Sequence, residues 1–400
     1  MTMRAASSLS LTVGMLAAVL ALVSPPRATA ADDLPRAAPE SLGLDPAALK
    51  VLDEDLKNGA VPLTDSLVIM RCGSVAFERT YTHDYGRIYQ KEAHEVGPLN
   101  PHLTGPYNYF DPDWHPYWHG SSTHSMQSVT KSVTSATIGA AILRGDFKAS
   151  LDTPVLHWFD AGTVKNVDAR KQRMTLRHLL TMTAGIDWDE DVPYADPKNS
   201  CSLMEASNDW IGFVINRPMA TEPGSKFVYS SGVSAVLGYI FRRETGRDVE
   251  DYARTFLFEP LGIHEYHWKR SPAGEVDTEG GLFLSATDLA RFGELYRNLG
   301  VWRGQRLLSE EWVRDSVTPR STPGEGMRYG YQWWLPAYDH GARRAWAGFG
   351  FGGQDVFVMP EDGLVAVTTA WSILDPKFYD EVVLEKLRTI VRPYSCPAGH

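Results

Sequence analysis

The hydrophobic pattern along the chain is first that of strands, in short apolar runs, and then that of helices, with a period between three and four. Ser66 to Arg79 reads SLVIMRCGSVAFER, two β-rich runs about a Cys-Gly-Ser turn, which predicts an antiparallel hairpin. From Tyr81 to Gly120 neither pattern survives. So long an irregular insertion, dense in Tyr, His, Pro and Asp, is expected to shape the rim of a site. From Gln127 to about Asp146, Val129, Val133, Ala136, Ala140 and Leu143 recur at three and four, which predicts a helix with one apolar face. Ser128, Lys131, Ser132, Ser135 and Gly139 fall on its other face. Helical patterns continue through TLRHLLTMTAG, through 202–216, 233–245 and 248–257, and through SATDLARFGELYRNLG with its Ser285 cap and Gly300 stop. Beyond them RYGYQWWL, RRAWAGFGFGGQDVFVMPEDG and LVAVTTAWS are aromatic and β-branched runs, and FYDEVVLEKLRTIV is a last amphipathic helix. The order predicts an α+β fold. Its antiparallel sheet is formed by N- and C-terminal segments, about 45–126 and 319–400, flanked by helices, with a mainly helical region inserted at about 127–318.

The first residues change the picture of where the chain works. Arg4, an uncharged run from Leu9 to Val23 and Ala28-x-Ala30 predict a secretory signal peptide over 1–30, leaving 31–400 as one domain, secreted or periplasmic. No later run is apolar for long enough to predict a membrane span. Loss of Arg4 and Arg27 takes the formal charge from −10 to −12, which disfavours nucleic acid or an anionic surface as partner. Three cysteines, Cys72, Cys201 and Cys396, allow at most one intramolecular disulfide, and their spacing does not choose it. His83, His94, His102, His115, His119 and His124 have no ligand spacing, so neither metal nor cofactor is expected. Monomer and homo-oligomer stay equally open.

Ser128 and Lys131 stand three apart at a helix start, hence on one face. A serine hydroxyl becomes a nucleophile when a neighbour takes its proton, and a desolvated lysine is expected to have its pKa lowered enough to do so. The helix start adds a positive dipole end and free N–H groups for a developing oxyanion. Among all serines, Ser128 alone has a lysine three residues later. A second proton-handling group is expected at Tyr229 of KFVYSSG, beside Ser230 and Ser231. A close-approaching strand is expected at WAGFGFGGQ, Trp346 to Gln354.

These stretches, with TLRHLLTMTAGIDW, EPGSKFVYSSG, LFEPLGI and GGLFLSATDLARFG, resemble the β-lactamase-related serine hydrolases in order from about Ser66 to Trp371. That group includes class C β-lactamases, D-alanyl-D-alanine peptidases, family VIII esterases and 6-aminohexanoate-dimer hydrolases. The resemblance implies an acyl-enzyme mechanism with Ser128 as nucleophile, Lys131 as the lysine of S-x-x-K and Tyr229 as the catalytic tyrosine. It implies an oxyanion hole from the N–H groups of Ser128 and Phe351, taking Gly348-Phe349-Gly350 rather than Trp346-Ala347-Gly348 as the strand motif. Ser231 stands where many members have asparagine, and no lysine precedes the strand glycine. A substrate carboxylate therefore loses its usual partner, which favours esters or short amides, such as 6-aminohexanoate oligomers, over β-lactams or D-alanyl-D-alanine peptides. Ser231, Gly348, Phe349, Gly350 and Trp188 are the expected substrate contacts. Trp114, Tyr117, Trp118 and Trp210 are further candidates for the pocket wall. The competing readings are a non-catalytic envelope binding protein, and an α/β-hydrolase, for which G-x-S-x-G is missing.

Overall fold

A computed structural model describes residues 34–97, 99–100, 104–374 and 380–397. The expected signal segment, residues 1–30, lies outside the described residues, as does His102. Two β-rich runs with a Cys72-Gly73 turn form β1 (Thr64–Arg71) and β2 (Ser74–Thr80). Short strands follow at β3 (Thr123–Ser125), β4 (His267–Trp268) and β5 (Leu282–Ser285), and a small hairpin at β6 (Val301–Trp302) and β7 (Gln305–Arg306). The C-terminal part supplies β8 (Ser321–Gly324), β9 (Met327–Tyr329), β10 (Trp334–Tyr338), β11 (Arg343–Arg344), β12 (Trp346–Gly350), β13 (Gln354–Met359) and β14 (Leu364–Ala370). The main sheet runs β2-β1-β14-β13-β12-β10-β9-β8, with β11 on β10. All its pairings are antiparallel, so the first hairpin docks on the last strand, with Val68 opposite Val367 and Ile69 opposite Ala366.

The period of two explains how this sheet is covered on both faces. Leu67 and Ile69 of β1, Phe357 and Met359 of β13, and Leu364 and Ala366 of β14 face one core. That core includes Leu49, Leu52 and Leu56 of helix α1 (Pro46–Lys57) and Leu384, Leu387 and Ile390 of the C-terminal helix, Asp380–Ile390. The alternate residues Val68, Met70, Val356, Val358, Val365 and Val367 face the larger core shared with the inserted helices. Among these are α2 (Val129–Arg144), α3 (Ser200–Glu205), α4 (Trp210–Ile215), α5 (Ser231–Thr245) and α6 (Ala286–Arg297). The helical region expected over 202–216 holds two helices, because Asp209 turns its side chain onto the Gly212 N–H and caps a new start.

Helix α2 corrects a second expectation. Its supposed polar face is not solvated: Val129 to Ala141 are all buried, whereas Leu143, assigned to the apolar face, is 38% exposed. The helix runs through the middle of the molecule and emerges only at its last turn. Its polar side chains find partners inside: Ser132 donates to the Gln332 carbonyl at 2.7 Å and Thr134 to the Thr278 carbonyl at 3.1 Å. Gly139 lets Trp312 lie against the helix, since a Cβ there would stand 2.3 Å from the indole. Gly139→Ala is expected to destabilise the protein by about 1–3 kcal/mol, the cost of overpacking a filled core. The urea midpoint would show it.

The insertion after Tyr81 holds only short helical turns, at Tyr85–Ile88, Glu92–His94 and Pro116–His119, but is not loose. Tyr85, Tyr89, Tyr109, Phe110 and Tyr117 pack with Trp371 into an aromatic cluster beside the sheet, and Phe351 and Tyr194 join its edge. Cys72 and Cys396 form the disulfide, leaving Cys201 a buried free thiol. No helix of the described residues is long and apolar enough to cross a membrane.

Candidate active site

The start of α2 is held by strand pairing and by one strained residue. His124 pairs with Leu284 across β3 and β5, Met126 N–H donates to the Leu282 carbonyl, and Gln127 then takes a left-handed φ of 46°. Such a conformation in a residue with a side chain costs about 1–3 kcal/mol and persists where the surroundings impose it. Ser128 comes next, at the N-cap position, and its side chain makes no capping bond. The turn bonds of the described residues run from Val129, Thr130 and Lys131 back to Met126, Gln127 and Ser128, and leave the Ser128 N–H outside them. It is one of the free donors of a helix start.

One turn on, Lys131 Nζ donates to Ser128 Oγ at 2.9 Å, to the Glu279 carbonyl at 2.8 Å and to Glu279 Oε2 at 3.3 Å. It also lies 5.2 Å from the centre of the Tyr229 ring. The expectation of a lowered lysine pKa is overturned. Burial does oppose the charge, but neighbouring groups, the carboxylates of Glu279 and Glu190 among them, outweigh it, and the net shift is upward. Lys131 is therefore an ammonium at neutral pH. Tyr229 is partly buried, and loss of solvent raises its phenol, while Lys131 and a hydrogen bond with Ser128 work against the rise. Its ring stacks on Trp334, with centroids 5.4 Å apart.

Strand β12 closes the site. A Cβ on Gly350 would stand 2.5 Å from the Met126 carbonyl oxygen, and one on Gly348 would stand 3.2 Å from a Val129 methyl and 3.4 Å from Ser132 Oγ. Both positions therefore lie against the helix start, and Gly350 is the point where only a hydrogen fits. Phe349 points to the other face of the strand, against Trp334 and Phe357. Phe351 follows immediately, its ring packed on Tyr194 and Tyr109 at 4.7 and 6.3 Å.

Two of the expected substrate contacts do other work. Ser231 is buried, and its N–H and Oγ both donate to the Glu190 carboxylate at 2.7 Å. Trp188 is buried beneath α5, against Gly232, and its indole donates to the same carboxylate at 2.8 Å. Tyr194 completes the set at 2.7 Å. Glu190 is thus the hub that fixes the turn carrying Tyr229, in place of a side-chain amide at position 231. Trp210 is likewise buried, edge-on to Tyr107. Trp114 packs beside His267, and Tyr117 stacks on His124 at 4.0 Å.

Glu190, Glu279, Tyr194 and Tyr109 were not singled out from sequence. Glu190 and Glu279 did lie inside or next to singled-out motifs, in GIDWDED and just before GGLFLS, but nothing local distinguishes them from solvated acids. Behind Lys131, Glu279, Glu205 and Cys201 bring two oxygens and a sulfur within 4.8 Å of one another. This set does not suit a metal, because Lys131 already occupies Glu279 and the Tyr109 hydroxyl occupies Glu205 at 2.9 Å.

Comparison with known proteins gives this geometry its setting. A 6-aminohexanoate-dimer hydrolase of Paenarthrobacter ureafaciens is 27% identical over 286 residues, 64% of this chain and 68% of that protein. The esterase EstB of Burkholderia gladioli is 24% identical over 147 residues, 35% of this chain and 37% of that one. A penicillin binding protein from Bacillus halodurans superposes with a TM-score of 0.57 at 17% identity over 85% of this chain and 98% of that one, a likeness of fold. The Beta-lactamase family model matches residues 66–372, more than half of the chain. Because that match runs unbroken through the helix that carries Ser128, the turn that carries Tyr229 and the strand that carries Gly350, the chain belongs to the Beta-lactamase family and is a hydrolase of that fold.

Proposed function

We propose that this hydrolase is exported and cleaves a carboxylic ester or short amide through an acyl-enzyme on Ser128. The observation that carries the reading is the 2.9 Å hydrogen bond from Lys131 Nζ to Ser128 Oγ in a buried site roofed by Tyr229. Ser128 attacks the carbonyl carbon, the N–H groups of Ser128 and Phe351 receive the oxyanion, and Tyr229, kept protonated by burial, hands a proton to the leaving group. Water then releases the acid. Phe351, Tyr194 and Tyr109 offer an aromatic wall beside the nucleophile, and Gly348 offers no cation to hold a substrate carboxylate. Both features support an uncharged acyl group over a β-lactam or a D-alanyl-D-alanine terminus. The aminohexanoate-dimer hydrolase and esterase relatives support the same choice.

Intact-mass spectrometry after brief exposure to p-nitrophenyl butyrate, a linear 6-aminohexanoate dimer, a cephalosporin and a D-alanyl-D-alanine peptide tests it. One acyl group per chain, mapped to Ser128, with turnover of the ester or the aminohexanoate amide, is the expected result. Turnover confined to the cephalosporin or the peptide would replace the substrate class. Failure of an active-site phosphonate to label Ser128 would end the hydrolytic reading in favour of a binding protein.

A further inference from the structure

An ammonium group has no lone pair, so Lys131 as found cannot take the Ser128 proton unless it gives one up. Its three donors point at Ser128 Oγ, the Glu279 carbonyl and Glu279 Oε2. Only the last is a group that can keep a proton. Glu279 is buried, and next to it stands the buried Glu205, at the end of α3, with carboxylate oxygens within 4.8 Å. Burial and then Glu279 drive the Glu205 carboxyl well above the ordinary range, with Lys269 opposing. Every element packed here contributes a titratable group: Lys131 from α2, Cys201 from α3, Asp277 from the turn before β5, Lys269 from the segment after β4, and Tyr107 and Tyr109 from the insertion.

We infer that Glu279, backed by Glu205, is a positioning residue that receives a proton from Lys131 while Ser128 is acylated. As Oγ bonds to the acyl carbon, its hydrogen passes to Nζ and one Nζ hydrogen passes to Glu279 Oε2. Lys131 remains an ammonium, the Oγ–H bond is exchanged for Oγ–C, and the oxyanion gains the charge that Glu279 loses. Release of the acid returns the proton by the same path. This step rests on the acyl-enzyme reading above.

The test is the pH dependence of single-turnover acylation by p-nitrophenyl butyrate, with phosphonate labelling of the wild-type protein alongside. In Glu279→Gln the proton must leave Nζ to solvent. The rate at neutral pH is expected to fall at least ~10-fold and then to climb about tenfold per pH unit through the alkaline range. The profile of Glu205→Gln is expected to lose one ionisation. A Glu279→Gln profile that superposes on wild type, or that drops by one factor at every pH, overturns the inference. So does a Glu205→Gln profile with every ionisation retained, which settles the matter even if Glu279→Gln does not fold. Labelled wild type with unchanged variants removes this inference alone, whereas unlabelled wild type removes the acyl-enzyme reading with it.

Discussion

Lys131→Met is expected to slow acylation of Ser128 by at least ~10²-fold and to destabilise the protein by about 3–5 kcal/mol. Both effects follow from burial. Nζ is the hydrogen-bond partner of the nucleophile, and it is also the counter-charge for Glu279, which has Glu205 and Cys201 as its other neighbours. Methionine fills nearly the same volume, so packing is kept, but the carboxylate is stranded, and an uncompensated buried charge is the costly outcome of breaking such a pair. The two effects separate in a double variant. Adding Glu279→Gln to Lys131→Met removes the stranded charge, so most of the lost stability should return while acylation stays low. Stopped-flow acylation and guanidinium unfolding on the two single variants and the double give the answer. Recovery of acylation in the double variant would mean that Lys131 acts only through the fold.

The second large effect concerns the disulfide. Cys72 lies in the β1–β2 turn and Cys396 near the end of the chain, a separation of 324 residues. Loop-closure entropy rises slowly with length, and a loop this long puts the stabilisation at about 5–6 kcal/mol. The paired variant Cys72→Ala, Cys396→Ala is therefore expected to lose that much in guanidinium unfolding and to keep its acylation rate, since the bond lies by Gly363 in the β13–β14 turn, at the opposite end of β13 from Gly350. A smaller loss is also informative. The guanidinium of Arg71, beside Cys72, donates to the carbonyls of Leu42, Gly43, Asp362 and Arg392, a second tie on the same segment. If that tie alone holds the tail, the variant will lose little, and Arg71→Met will be the damaging change.

The strands were legible because a short apolar, β-branched run closed by a turn is a local signal. Leu67, Val68, Ile69 and Met70 go to opposite faces whatever the rest of the chain does. The helix carrying Ser128 was legible as a helix, but its environment was not. A period of three and four names the more apolar stripe without telling whether the other stripe meets water or more protein, and Leu143 and Ser135 ended on the unexpected sides. The spacing of Ser128 and Lys131 placed them on one face, whereas their meeting with Tyr229 depends on the long-range packing of α2 and α5. The charge on Lys131 was beyond reach for the same reason, since it is decided by Glu279 and Glu190, far away in sequence. Trp188 shows the limit from the other side: an aromatic residue beside a motif reads equally as wall or as buttress, and here it buttresses Glu190.

The arrangement of the sheet also bears on how the molecule is made. β1 and β2 leave the ribosome well before the strand on which β1 rests, β14, with Thr64 opposite Ala370. Until it arrives the hairpin is an unpartnered edge with apolar residues on both sides, a form prone to associate with other chains. Contacts so distant in sequence also close slowly. A C-terminal truncation that spares Ser128, Lys131, Tyr229 and Gly350 but removes β14 should therefore yield aggregate rather than a weakened enzyme, and a chaperone that shields the early hairpin should raise the yield of the whole chain.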